Sequence, residues 1–364
     1  MNAIPTPALV ADLDRLEQNL RRMADYFTSR RAKLRPHFKS HKCVELARRQ
    51  LAAGSCTGIT CAKLSEAEQL VAGKVSNVLI ANQVVGPDKA RRLAALNCSA
   101  TVRSAVDSLV NARELSAAAT EAGVCIPILV EVDIGMKRCG VPSGAPALEL
   151  TREISHLPGL RFDGLQGYEG HLVSLPSYEE RSQKTRAAFA PLVETRRLIE
   201  RAGIPVAIVS GGGTGTFDIT GNIQGVDEIQ AGSYALMDQS YLQVRPEFVV
   251  ARWVLATVIS ARGGCAVVDV GTKGMGCEFG LPVVEGFPEA KARYNAEEHT
   301  PFDGLTANVG DKVRVVPSHG CTTQNLHRRM WITRTGKIVE IWPIEAAGCL
   351  EYQPEMQPLD ARLR

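Results

Sequence analysis

From residue 8 to about residue 235, short apolar runs alternate with stretches whose apolar residues recur at helical spacing, and this alternation restricts the fold more than any other feature. The run Ile126 to Asp133 is apolar almost throughout, as expected of a parallel strand covered on both faces. Strands are expected at 8–13, in the run that begins at Lys33 and passes through Lys39, and at 58–62, 77–81, 100–102, 126–133, 162–167 and 206–210, with a last one near 228–234. Helices are expected at 14–29, 43–53, 87–95, 105–122, 148–155 and 179–202, with another opening at Ser65 as its cap and Glu66 and Glu68 in its first turn. Seven or eight such units fit a parallel (β/α)8 barrel, a fold whose sites gather at the C-terminal ends of its strands.

From Val249 onward the pattern changes to short β-rich runs at 249–262, 265–270, 312–317, 330–334 and 337–341. The expected division is a barrel at 14–240 and a β-rich antiparallel domain at 241–364 joined by residues 1–13, with Pro282 to Asp303 as an excursion loop. A length of 364 residues with 45% hydrophobic residues is ample for a real core. A net charge of +3 and only 5% aromatics disfavour nucleic acid as a partner. The chain shows no charged leader followed by an apolar stretch and no apolar run of membrane-spanning length, so it is read as a soluble cytoplasmic protein without a membrane partner. Ten cysteines, at 43, 56, 61, 98, 125, 139, 265, 277, 321 and 349, form no C-x-x-C pair and are read as free thiols in a reducing compartment.

Chemistry concentrates first in Arg35-Pro36-His37-Phe38-Lys39-Ser40-His41-Lys42. If this run is a strand, period-two alternation sends Arg35, His37, Lys39 and His41 to one face and Phe38 to the other, holding Lys39 inward. A lysine amine among cations and partly buried favours its neutral, nucleophilic form. The competing reading is a solvated basic turn.

Ser210-Gly211-Gly212-Gly213-Thr214-Gly215-Thr216 follows an apolar strand and suits a phosphate cradle of close backbone amides; otherwise it is a flexible loop. Gln230-Ala231-Gly232-Ser233-Tyr234 could complete that cradle. Arg138, in a loop between Gly135 and Gly140, could anchor a carboxylate or be an ordinary loop ion pair. In Gln166-Gly167-Tyr168-Glu169-Gly170-His171, Tyr168 could flank a cofactor and His171 or Glu169 could move protons, or the tyrosine merely packs at a strand end. His319-Gly320-Cys321 could share a metal ion with open positions for water or substrate, against a buried cysteine beside a turn histidine.

The octamer, with Thr6-Pro7-Ala8-Leu9-Val10 and Asp12-Leu13-Asp14 upstream, resembles the fold-type III pyridoxal-phosphate enzymes with an alanine racemase-like barrel, and within them the D-threonine aldolase and D-serine dehydratase branch. The resemblance runs from Thr6 to Gly348. It implies that Lys39 carries pyridoxal 5'-phosphate and that His37, Arg138, Tyr168, Gly212, Gly213, Thr214, Gly232, Ser233 and Tyr234 help to hold it. It implies catalytic roles for Lys39 and Tyr168; D-threonine aldolases have a histidine directly after the tyrosine, where Glu169 stands here, and His171 is the catalytic candidate in its stead, with Glu169 as the alternative. It also implies a divalent metal (zinc, manganese or magnesium) on His319 and Cys321 that binds a substrate β-hydroxyl, and a homodimer with shared sites.

Aldolase members look like His-x-Asp at this spot and dehydratase members like His-x-Cys, whereas Thr322-Thr323-Gln324-Asn325-Leu326-His327 and Ile341-Trp342-Pro343-Ile344-Glu345 look more like the aldolase side. The expected function is therefore a lyase on β-hydroxy D-amino acids, cleaving them by retro-aldol chemistry to glycine and an aldehyde. The alternative is a dehydratase of D-serine or 3-hydroxyaspartate giving a keto acid and ammonia. Lesser alternatives are an amino-acid racemase or a noncatalytic pyridoxal-phosphate carrier.

Overall fold

The protein is described by a computed structural model over residues 3–348, so Cys349 and the end of the β-rich segment lie outside the described residues. After β1 (Ala8–Asp12), α1 (Leu13–Thr28) is capped by the Asp12 side chain, which accepts from the Arg15 amide. Its buried stripe of Leu16, Leu20, Met23 and Phe27 packs onto the core.

The barrel strands are β2 (Lys33–Leu34), β3 (Ile59–Cys61), β4 (Asn77–Gln83), β5 (Thr101–Val106), β6 (Ile126–Glu131), β7 (Leu160–Gln166), β8 (Ile208–Gly211) and β9 (Glu228–Ile229). Between them run α2 (Val44–Ala53), α3 (Leu64–Ala72), α4 (Pro87–Leu96), α5 (Leu109–Ala122), α6 (Ala145–Ser155), α7 (Tyr178–Arg201) and the single-turn α8 (Phe217–Thr220). The spatial order β2-β9-β8-β7-β6-β5-β4-β3 is parallel throughout. Isolated parallel bridges Leu34–Cys56 and His37–Thr60 join its two edges and close the ring. Every residue of β6 is buried, which is why its sequence reads as an unbroken apolar run.

Three local expectations are corrected. The Lys39 run is not a strand beyond Leu34; Phe38–Ser40 form a 3-10 turn, with His37 Nδ1 accepting from the Lys39 amide at 3.4 Å. Ser65 is not a cap, because α3 begins one residue earlier and Lys63 precedes it. The stretch 282–303 is not a bare loop: it carries β12 (Val283–Val284), β13 (Lys291–Ala292) and β14 (Thr300–Asp303), after α9 (Gln239–Leu242), β10 (Arg252–Arg262) and β11 (Cys265–Val268).

The chain ends its described part with β15 (Lys312–Val316), α10 (Gly320–Leu326), β16 (Arg329–Arg334) and β17 (Lys337–Pro343). In this second sheet β1 lies between β10, to which it is antiparallel, and β16, to which it is parallel. All other pairings in the sheet are antiparallel. Among the described residues no helix is long and apolar enough to cross a membrane.

Arg35 shows how the barrel lumen is filled. Its Nε and Nη2 each donate to Glu228 at 2.7 Å, and its Nη1 donates to Asn77 Oδ1, which also accepts from Arg103. Arg103 in turn holds Asp163 at 2.9 Å. Burial alone would push the Glu228 carboxyl up, but Arg35 holds it below the usual carboxylate range. The pair therefore contributes stability above the unfolded value near pH 4.5, and that contribution is lost as pH falls through the depressed folded value. Arg35→Met, which strands Glu228 without its partner, is expected to lower unfolding free energy by about 3–5 kcal/mol in denaturant titrations.

Candidate active site

The loops that leave the C-terminal ends of β2, β3, β6, β7, β8 and β9 surround a cavity of about 200 Å³. Lys39 reaches it from the 3-10 turn. Its neighbours in the octamer are otherwise engaged: Arg35 with Glu228, His41 with Gln50 Oε1 at 3.0 Å, and Lys42 with Glu66 at 2.5 Å. They therefore do not share a face with Lys39. Among the described residues Lys39 makes no ion pair, and burial first, then Arg138, lower its pKa against the opposing pull of Cys321 and Glu66. His37, on the cavity wall, is held well below its ordinary value by burial and by Lys39, so it is neutral near pH 7.

Opposite lie the two glycine-bearing loops. The Gly212 amide donates to Glu169 Oε2 at 3.2 Å and the Gly213 amide to Thr216 Oγ1 at 3.2 Å. Thr214, Gly232 and Ser233 also line the cavity, and among the described residues their amides make no hydrogen bond, which leaves them available to an anion. Close packing enforces glycine here: a Cβ on Gly232 would lie 2.4 Å from Ser40 Oγ, and Gly212 has φ of +77°. Tyr234 supports the cradle from behind, its amide donating to Thr214 Oγ1 at 3.1 Å while its ring is buried against Gln50.

Tyr168 stands between two cations, with Lys39 Nζ and Arg138 Cζ each 5.7 Å from its ring centroid. Burial first, then Glu169, push its phenol up, so it remains a hydrogen-bond donor. Arg138 forms no ion pair among the described residues and faces the cavity. His171 is not brought there: it is exposed in the turn after Tyr168 and packs beside Gly135. Sequence reasoning passed over Gln166, Gln230 and Tyr241. Gln230 Nε2 donates to Gln166 Oε1 at 3.2 Å and Ser210 Oγ at 2.9 Å, fixing the cavity floor, and Tyr241 comes from α9. The alternation of β7 could have flagged Gln166 as a polar residue facing the lumen; nothing in the sequence marks Tyr241.

His319 and Cys321 arrive from the β-rich domain of the same chain, at the start of α10. Cys321 Sγ lies 3.8 Å from Ser233 Oγ, so the second domain closes directly onto the cradle. His319 is clamped by a backbone bridge to Gly276, by Glu278 at 3.3 Å from Nδ1, and by the Phe279 ring at 4.4 Å. Burial would push the Cys321 thiol up, but its contact with His319 prevails and draws it below the ordinary value. The same contact prevails over burial at His319 and raises its pKa. The Gly320 position between them leaves no room for a side chain, since a Cβ would meet Arg252 Nη2 at 1.5 Å.

Residues 11–240 match the family described as alanine racemase, N-terminal domain, and residues 251–333 match a serine dehydratase domain. This chain belongs to the fold-type III pyridoxal-phosphate enzymes. It is similar to a 3-hydroxy-D-aspartate aldolase of Paracoccus denitrificans (strain Pd 1222), 38% identical over 359 residues that cover 95% of this chain and 92% of the relative. It is likewise 38% identical to a D-threonine aldolase of an Arthrobacter species, over 95% of this chain and 93% of the relative. A crystal structure of D-threonine aldolase from Filomicrobium marinum superposes with a TM-score of 0.94 at 38% identity, covering 96% of this chain and 98% of that one. A cysteine-to-alanine variant of D-threo-3-hydroxyaspartate dehydratase, in a metal-free form, superposes with a TM-score of 0.85 at 26% identity, covering 94% and 98%.

As in any fold-type III enzyme, the cavity must accept an aldehyde carried by lysine and a phosphate, and the residues fit both. Lys39 supplies an unpaired amine of lowered pKa, and the amides of Thr214, Gly232 and Ser233 supply a phosphate cradle without a carboxylate in its wall. The metal test is narrower. Among the described residues no group of three or more His, Cys, Asp or Glu is arranged to hold a metal, and Glu278 engages His319 Nδ1 at 3.3 Å. The two donors thus fit an ion that keeps several positions for water or substrate, and a thiolate with an imidazole suits zinc best.

Proposed function

We propose that this enzyme is a pyridoxal-phosphate- and metal-dependent lyase that cleaves β-hydroxy D-amino acids to glycine and an aldehyde. The carrying observation is that one chain brings the Lys39 turn and the His319–Cys321 pair to opposite sides of one cavity, with Cys321 3.8 Å from the cradle residue Ser233. A racemase or a bare cofactor carrier has no use for that second pair of donors. The similarity to 3-hydroxy-D-aspartate and D-threonine aldolases at 38% identity supports the same reading, including the D configuration.

Bound pyridoxal phosphate supplies an electron sink for the bond broken at the substrate's α-carbon. The chain's own residues do the rest. Lys39 is the nucleophile toward the cofactor and, once displaced, an amine able to hold the α-carbon proton. Arg138, free of ion pairs, takes the substrate carboxylate, and Tyr168 donates its phenolic hydrogen bond beside it. His319 and Cys321 would hold a divalent ion whose Lewis acidity lowers the pKa of the β-hydroxyl. Dehydration to a keto acid and ammonia is the second reading, favoured by a cysteine at position 321 and by the likeness to the dehydratase fold. A homodimer with shared sites belongs to the same proposal and is tested by sedimentation.

Product analysis decides between the two. Protein loaded with pyridoxal phosphate and zinc or manganese is expected to convert D-threonine to glycine and acetaldehyde. Keto acid and ammonia from D-threonine or D-serine, without glycine, would transfer the case to the dehydratase.

A further inference from the structure

Glu169 is fully buried and forms no ion pair among the described residues, yet it does not point into the cavity. Its Oε1 accepts from Thr216 Oγ1 at 2.6 Å and Thr220 Oγ1 at 2.7 Å, and its Oε2 accepts from the Gly212 amide at 3.2 Å. Thr216 Oγ1 in turn accepts from the Gly213 amide. One carboxyl group thus fixes two successive amides of the glycine loop, the first directly and the second through a hydroxyl. The segment that carries Glu169 also presses on the loop from outside, since a Cβ at Gly215 would meet Val173 O at 1.7 Å. Buried polar groups left without such partners cost more than the bonds themselves contribute, so the arrangement holds the loop in one shape.

We propose that Glu169 is a positioning residue for the anion cradle: by engaging Gly212 and Thr216 it sets the turn that leaves the Thr214 amide toward the cofactor phosphate. It is not a proton-transfer group, because its contacts are turned away from the cavity. This inference rests on the pyridoxal-phosphate reading, and its test separates the two.

The test compares affinities of the apoprotein for pyridoxal phosphate and for pyridoxal, which lacks the phosphate, followed by the visible absorbance of the lysine-bound aldehyde. Glu169→Gln keeps the shape but turns an NH2 group toward the Gly212 amide or the threonine hydroxyls. The expected result is a loss of pyridoxal-phosphate affinity of about tenfold or more with pyridoxal affinity unchanged. A through-space charge effect has the opposite sign, since removing a negative group beside a phosphate tightens binding. Should Glu169→Gln fail to fold, Thr220→Val is expected to give the same selective loss, and Thr220→Ser to restore it. Equal losses for both aldehydes, or tighter phosphate binding, would overturn the positioning role. Wild-type protein that binds neither aldehyde sinks the cofactor reading, and this inference with it.

Discussion

Lys39→Ala is expected to abolish the visible absorbance of lysine-bound cofactor and to lower turnover by on the order of 10³-fold or more, because among the described residues no other lysine lines the cavity. The apoprotein should fold as well as wild type, since the Lys39 side chain makes no hydrogen bond or ion pair among the described residues. A second consequence concerns pH. The folded-state pKa of Lys39 is lowered from 10.5, so between the two values the unfolded chain binds more protons than the native one. Wild-type stability therefore gains an increment as pH rises through that window, and the alanine variant lacks it. Denaturation midpoints of the two apoproteins from neutral to alkaline pH check this directly; parallel curves would show that the amine is not in a desolvated setting.

Exchange of the sulfur ligand should have the next largest effect. Cys321→Asp replaces a soft thiolate by a hard carboxylate, so zinc affinity is expected to fall by about two orders of magnitude while manganese or magnesium gains relative to it. His319→Ala is expected to remove bound metal altogether and to cost about 10²-fold or more in turnover, leaving the cofactor absorbance in place because Lys39 and the cradle belong to other loops. Metal analysis after dialysis against a graded series of chelators measures the first effect, and spectra with rates the second. A wild-type protein that retains no metal and reacts equally well in chelator would end the metal proposal.

The barrel was legible because its strands are covered on both faces. β6 stands out as an apolar run for that reason, and the observed bounds of β6 and β7 lie within two residues of those expected. The two-residue strands β2 and β9 carry too little sequence to show a period, and reading an alternation through Pro36 and His37 put Arg35 and His41 on one face with His37 and Lys39, whereas of these four only His37 and Lys39 line the cavity. The short strands within 282–303, of which β12 and β13 lie at sheet edges, were hidden by the prolines and charges around them, of the kind that protect a sheet edge.

In the cradle, the glycine run announced an anion site by composition alone. Which amides remain available depends on Glu169, more than forty positions away from its Gly212 contact, and no local pattern encodes that. The placements of His171, exposed in a turn, and of Tyr234, in the short 3-10 turn Ser233–Ala235 behind the cradle, are hidden for a related reason: no helical or strand period extends there to show which way a side chain turns.

The placement of β1 inside the second sheet makes that domain discontinuous along the chain. During synthesis residues 8–12 emerge first, but their neighbours β10 and β16 follow only after the whole barrel has left the ribosome. The barrel can close in the meantime; the platform beneath His319 cannot. Trimming or tethering the chain ahead of Asp12 therefore strikes a sheet whose other strands are translated after the barrel, and a fault introduced at β1 surfaces as loss of the metal-binding half of the site.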